Sequence, residues 1–426
     1  MRQNSINKME PAIGWEDNSM NIMEGGITAA KGFQAASTAA GIKYKDRQDM
    51  ALIYSEKPCK AAGTFTINVV KAAPVKWDQQ VVRDSAFVQA VVINAGIANA
   101  CTGTEGYGYC KDTADAAAAA LQIPAAAVLV ASTGVIGKQL PMDRIIAGIQ
   151  AMTPGLGTDL AHGTQAAEAI MTTDTRKKEV AVTVEISGQT VTVGGMCKGS
   201  GMIHPNMCTM LAFVTTDLAI SKELLQEALS EDIKDTYHMI SVDGDTSTND
   251  TVLLLANGMA GNAEITEKNA DYQTFVKALN YVNETLAKKM AGDGEGCTAL
   301  FEVKVVGAES KEQAVTISKS VITSSLTKAA IFGHDANWGR ILCAMGYSGA
   351  QFDPEQVDLY FESAAGKLQI IKDGVATDYS EEEATKILSE PEVTAVADLK
   401  MGNASATAWG CDLTFDYVKI NADYRS

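Results

Sequence analysis

The sequence predicts a layered α/β sandwich built around mixed β-sheets. Three observations predict it. Strand-type and helix-type patterns alternate through both halves of the chain, the order expected of an α/β protein. At least one pair of neighbouring strands reads as a hairpin, so the sheets are not purely parallel. The chain has 426 residues, 46% of them apolar and 20% charged. That is ample length to bury a core, with two or three units expected at roughly 150 residues each.

The elements follow in chain order. Residues 1–24, opening MRQNSINKMEPAIGWEDNS, are polar and mixed in charge and read as a loose leader, with Met9 or Met20 as alternative starts. They lack the apolar stretch of a signal peptide. AFVQAVVINAG (86–96) begins as a buried strand and ends in a small-residue turn. TADAAAAALQ (113–122) reads as helix, because alanine has the highest helix propensity. AAAVLV runs as a strand into ASTGVIGKQL (131–140), where Ser132-Thr133-Gly134 reads as a turn. EVAVTVEISGQTVTVGGMCKG (179–199) alternates apolar and polar residues about Ser187-Gly188, the pattern of a hairpin. LAFVTT (211–216) is a further strand. Phe275, Leu279, Val282, Leu286 and Met290 recur at three- and four-residue steps, so 268–290 is an amphipathic helix. Helices also fit 311–328 and 380–390.

Composition excludes several functions. The net charge is -17 and the pI about 4.7, unsuited to nucleic acid or anionic membrane. No apolar run reaches the roughly 18 residues of a membrane helix. Eight cysteines lie scattered without CxxC pairs. With no export signal the chain reads as cytoplasmic and the thiols as reduced, mostly core filler. The four histidines, His162, His204, His238 and His334, form no metal-ligand pattern, so no metal is expected. His204 reads as a solvated loop residue. No GxGxxG or Walker-type loop occurs, and no cofactor is implied.

The segment KGSGMIHPNMCTML (198–211) carries the most chemistry. A glycine-flexed stretch delivers Thr209 to the start of a strand, near mid-chain. A hydroxyl there can attack the preceding carbonyl and cut its own chain. The new N-terminal Thr then holds a nucleophile and an amine base on one residue, and a free α-amine has a pKa of about 7.7–8.0. The plain alternative is a β-branched residue that suits a strand. Other segments are equally two-sided on local grounds. Thr133 and Gly134 can supply oxyanion donors or simply a tight turn. The threonines of MTTDTRKK (171–178) can meet a carboxylate or turn the chain. SVDGDTSTNDT (241–251) fits an active-site loop or a turn, with Gly and Glu misplaced for calcium. Glu295 in AGDGEGCTAL can meet an ammonium or lie in solvent. Trp338, Gly339 and Arg340 in FGHDANWGRI suit packing or a subunit contact, and NADYRS (421–426) would ordinarily be a fraying tail.

Together these segments resemble the ornithine acetyltransferase family, the bifunctional glutamate N-acetyltransferases of arginine biosynthesis. The resemblance runs from GGITAAKGF (25–33) through NAGIANACTG, STGVIG, TTDT, KGSGMIHPNMCTML, SVDGDTSTND, GDGEG and FGHDANWGRI to KINADYRS. It implies a fold like that of N-terminal-nucleophile aminopeptidases with a smaller second domain. It implies self-cleavage between Cys208 and Thr209, giving an α chain that ends at 208, a β chain of 209–426 and an α2β2 heterotetramer. It gives Thr209 as nucleophile and Thr133 and Gly134 as oxyanion hole. Thr172, Lys198, Thr209, Glu295, Asn421 and Ser426 line the amino-acid pocket, with Thr172 chosen over Thr173. The implied reaction moves acetyl from N2-acetyl-L-ornithine to L-glutamate, and the resemblance also admits acetyl-CoA as donor. An amidase or aminopeptidase on the same scaffold is the alternative; a non-catalytic binding protein would remain uncut. Two positions depart from the family pattern: Cys208 where Ala is common, and Ile97 where Asn is common.

Overall fold

The computed structural model describes residues 20–204 and 210–423. Sixteen strands are described: β1 Met20–Met23, β2 Phe33–Thr38, β3 Met50–Phe65, β4 Val88–Ile97, β5 Val128–Val135, β6 Lys178–Ile186, β7 Gln189–Lys198, β8 Leu211–Thr216, β9 Ile240–Ser241, β10 Thr251–Ala256, β11 Leu300–Ala308, β12 Asp358–Ser363, β13 Gly366–Lys372, β14 Val375–Ala376, β15 Glu392–Asp398 and β16 Ala404–Cys411. Nine form one sheet, ordered β1-β6-β7-β8-β10-β3-β4-β5 with β2 also on β3. Seven form a second, ordered β14-β13-β12-β15-β11-β16-β9. Both mix parallel and antiparallel neighbours, as the alternating pattern predicted.

The long strand β3 turns the first sheet into a sandwich. Its Lys60–Phe65 half pairs with β10, and its Met50–Ser55 half pairs with β2. The register against β4 shifts between Tyr54 and Cys59. A strand that switches layers in this way makes the corner of a β-sandwich. Met196, Leu211, Phe213 and Leu253 of one layer share a core with Ile53, Val91, Ile93 and Leu129 of the other. Alternate residues of the same strands point outward. Val92 and Val130 meet the helices Glu105–Leu121 and Met142–Met152. Ala212, Val214 and Val252 share a core with the helices Lys222–Asp232 and Ala270–Ala291, and with the seven-stranded sheet. The result is helices on both outer faces of a two-layer β core.

The helix Ala270–Ala291 begins at Asn269, whose side chain accepts from Tyr272 N–H, a regular N-cap. Its Phe275, Leu279, Val282, Leu286 and Met290 are fully buried, each contributing about 1.5–3 kcal/mol as an upper bound. The hairpin β6–β7 closes on Ser187 and Gly188, with φ of 51° and 72°, the left-handed pair that a two-residue turn requires.

Three expectations need correction. The small residues 94–96 are not a turn, since β4 continues to Ile97 in parallel register with β5. Ser132-Thr133-Gly134 likewise lies inside β5, where Gly134 faces Gly96 across the ladder. The predicted helix 311–328 is two helices, Lys311–Thr323 and Ser325–Phe332. Ser324 between them is extended, and its side chain caps the second by accepting from Thr327 N–H.

Candidate active site

Four segments converge where β7 ends. Lys198 is the last residue of β7 and is buried. Its Nζ donates to the Thr172 hydroxyl at 2.7 Å. Of the neighbouring threonines, Thr172 is the one that meets this lysine. Asp174 stands behind the pair. One of its carboxylate oxygens accepts from Thr172 N–H at 3.0 Å and lies 3.7 Å from Lys198 Nζ. The other accepts from Gly199 N–H and from Lys178 Nζ, both at 2.7 Å. Burial alone would raise the Asp174 pKa, but Lys198 and Lys178 outweigh it and hold the carboxyl well below the usual range. Burial draws the Lys198 pKa down, against the attraction of Asp174.

Glu295 comes from the loop that follows the helix Ala270–Ala291. Taken alone it reads as a solvated loop residue, but it is 8% exposed. Its N–H donates to Ser200 O at 2.9 Å, and its carboxylate accepts from Asn421 Nδ2 at 2.8 Å. Gly201 leaves the space: a Cβ there would sit 2.4 Å from the Glu295 carboxyl. Any side chain at 201 would therefore displace the carboxylate. The C-terminal helix Phe415–Asp423 carries Asn421. Thr414 Oγ1 donates to Gly296 O at 2.7 Å just ahead of it, and Tyr417 OH donates to Asp243 at 3.3 Å. The tail as far as Asn421 is thus docked on the GDGEG loop.

The segment after Lys198 is gripped by the SVDGD loop. Met202 and Ile203 N–H donate to the two Asp243 oxygens at 2.6 and 2.8 Å. His204 is half-buried, with Nδ1 3.2 Å from Ser241 Oγ, a correction to its reading as a solvated residue. Thr209, Cys208 and Ser426 lie outside the described residues, as do residues 1–19 of the leader. Met210, next in the chain, donates its N–H to Asp250 at 2.9 Å. Asp250 is fully buried, and its second oxygen has no partner among the described residues. Burial pushes its carboxyl well above the ordinary range, against Met210 N–H and Lys198.

Thr133 and Gly134 are joined to this region through loops. Val135 O accepts from Ala98 N–H, Asn99 O from Ala73 N–H, Thr248 O from Ala72 N–H, and Asp250 O from Thr66 N–H. Sequence reading passed over Lys178 and Asp293, and it gave Asp174, Asp243 and Asp250 no role of their own although it marked the segments that hold them. The available signal was the Asp174–Lys178 spacing and the density of Asp in 241–251. Among the described residues no cluster of three or more His, Cys, Asp or Glu is arranged to hold a metal, and no helix is long and apolar enough to cross a membrane.

The sequence profile of the ArgJ family matches residues 34–426. The chain is 52% identical over 400 residues to arginine biosynthesis bifunctional protein ArgJ 1 of Clostridium acetobutylicum, covering 94% of this chain and 97% of that one. The chain belongs to the ArgJ family. It is 49% identical over 397 residues to the ArgJ protein of Thermotoga neapolitana, covering 93% and 99%. Among solved structures it is similar to the ArgJ protein of Bacillus halodurans, at 47% identity, 50% of this chain, 98% of that chain and a TM-score of 0.48. As an ArgJ family member the chain is an enzyme, and its relatives carry the name of bifunctional arginine-biosynthesis proteins.

Proposed function

We propose that the enzyme transfers acetyl from N2-acetyl-L-ornithine to L-glutamate through an acetyl ester on Thr209. The observation that carries this reading is the pairing, around one glycine-rich segment, of a buried ammonium, Lys198, with a buried carboxylate, Glu295. Such a pair complements an amino acid with an anionic end and a cationic side chain. Lys198 and the Thr172 hydroxyl take the α-carboxylate. Glu295, steadied by Asn421, takes the side-chain ammonium, and Ser426 belongs to the same pocket.

The chain first cuts itself. Thr209 Oγ attacks the Cys208 carbonyl, the amide becomes an ester, and water hydrolyses that ester. The products are the Cys208 carboxylate and a Thr209 with a free α-amine. In turnover the hydroxyl attacks the acetyl carbonyl while the α-amine takes its proton. Thr133 and Gly134 meet the oxyanion. Collapse expels ornithine, whose leaving nitrogen receives the proton. The α-amino group of glutamate then attacks the ester, giving N-acetyl-L-glutamate and free Thr209. The ester conserves acyl activation, so exclusion of water decides transfer over hydrolysis. The mature unit is two α and two β chains in the cytoplasm, and incubation of glutamate with acetyl-CoA in place of N2-acetyl-L-ornithine decides whether the thioester is also a donor.

Intact-mass measurement and N-terminal sequencing of purified enzyme should find a fragment beginning at Thr209. Incubation with N2-acetyl-L-ornithine should release ornithine in sustained turnover only when glutamate is present. An active, unbroken chain removes the nucleophile assignment, and glutamate-independent release points to a hydrolase on the same scaffold. Glu295→Ala should still cut itself but raise KM for N2-acetyl-L-ornithine by about 10- to 100-fold, the scale of a lost hydrogen bond to a charged group. Unchanged KM takes Glu295 out of the pocket.

A further inference from the structure

We propose that Asp174 is a positioning residue that holds Lys198 and Thr172 for the substrate carboxylate and, through Lys178 and Asp293, fixes that corner against the Glu295 loop. The inference rests on the pocket reading above. The Asp174 side chain is fully buried and reaches each part of the anion-binding corner. It fixes the Thr172 backbone, the Gly199 backbone and the neighbourhood of Lys198. Lys178, itself 1% exposed, passes the connection on by donating to Asp293 at 2.6 Å. Asp293 O accepts from Ser200 Oγ at 2.6 Å, and Ser200 O accepts from Glu295 N–H. One unbroken polar path therefore joins the two charged ends of the pocket.

The charges around this path are unequal. Lys178 has two carboxylates in contact, Asp174 and Asp293. Lys198 has Asp174 at 3.7 Å, while Glu295 and Asp250 attract it from further off and Lys178 repels it. Among the described residues these four groups, from the 171–177 loop, the Glu295 loop, the residue before β10 and β6, are the charged ones that act most on Lys198. A buried ammonium stripped of its contact anion gives up its proton more readily. Without the Asp174 charge, Lys178 keeps Asp293, but Lys198 has no carboxylate in contact. It then loses its proton at lower pH, and a neutral amine no longer attracts a carboxylate.

The test measures the dissociation constant of L-ornithine by calorimetry on the mature enzyme, for wild type and Asp174→Asn. It compares an acid and an alkaline buffer in which both proteins stay folded, because a buried lysine without its counter-ion loses its proton at lower pH. At the higher pH the variant should bind about tenfold or more weakly, as for a lost charge-assisted contact. At the lower pH the gap should close, and KM for N2-acetyl-L-ornithine should rise by a larger factor than kcat falls. Equal weakening at both pH values, or no weakening, overturns the proposal. If Asp174→Asn does not fold, Asp174→Glu replaces it. That variant keeps the counter-charge, so weaker binding with the wild-type pH dependence is expected, and a widened pH gap overturns the proposal. Wild type that neither binds ornithine nor transfers acetyl would instead remove the function on which the inference depends.

Discussion

A Thr209→Ala chain is expected to run as one band at its full 45.0 kDa mass and to release no ornithine from N2-acetyl-L-ornithine. On the proposed mechanism the substitution deletes the hydroxyl that both cuts the chain and accepts the acetyl group. Without the cut, residue 209 retains an amide nitrogen, which is no base. The two losses are therefore one event, and residual turnover near wild type would disprove it. Thr209→Ser separates the steps. It keeps the hydroxyl and can still cut, so a doublet with reduced turnover is expected. The fold should be spared, because Met210 N–H still reaches Asp250 and β8 still pairs with β7 and β10. A melting curve close to wild type checks this.

Gly134→Ala is expected to damage the protein twice. Gly134 has φ of +125°, a conformation costly for any residue with a Cβ, on the order of 1–3 kcal/mol. The added Cβ would also lie 2.3 Å from the backbone carbon and 2.4 Å from the backbone oxygen of Gly96. These are main-chain atoms of a paired strand, with no flexible side chain to move aside. β4 and β5 must part locally, and the midpoint of thermal unfolding should fall clearly. If Gly134 N–H faces the oxyanion, that displacement also removes a donor, and kcat should drop by about 10²–10³. A folded variant with wild-type kcat would take Gly134 out of the oxyanion hole. An unchanged melting temperature would contradict the close approach to Gly96.

The two glycine roles show where local reading stops. Ser132-Thr133-Gly134 reads as a turn because glycine punctuates turns. The constraint on Gly134 instead comes from Gly96, 38 residues earlier in the sequence. Gly201 looks like loop flexibility, yet the space beside it belongs to the Glu295 carboxylate. Asp174 looks like turn chemistry, whereas two lysines, one of them at the far end of a hairpin, meet it in the interior. Asp250 sits in a run of Asp, Ser and Thr where no position stands out by composition. Only the folding of β8 beside β10 brings its carboxylate to Met210.

By itself the sequence determined the alternation of strands and helices, the β6–β7 hairpin and the buried stripe of the helix Ala270–Ala291. Those features are written in periods of two and 3.6 residues and in turn residues that act on near neighbours. Its motifs, taken together, also pointed to the family. The tertiary structure alone decided which carboxylates are buried, which lysine faces which anion, and that Asn421 of the tail docks beside Glu295. Burial and ion pairing depend on atoms distant in sequence and close in space, and the energy of a charge is set by what surrounds it once water has been excluded.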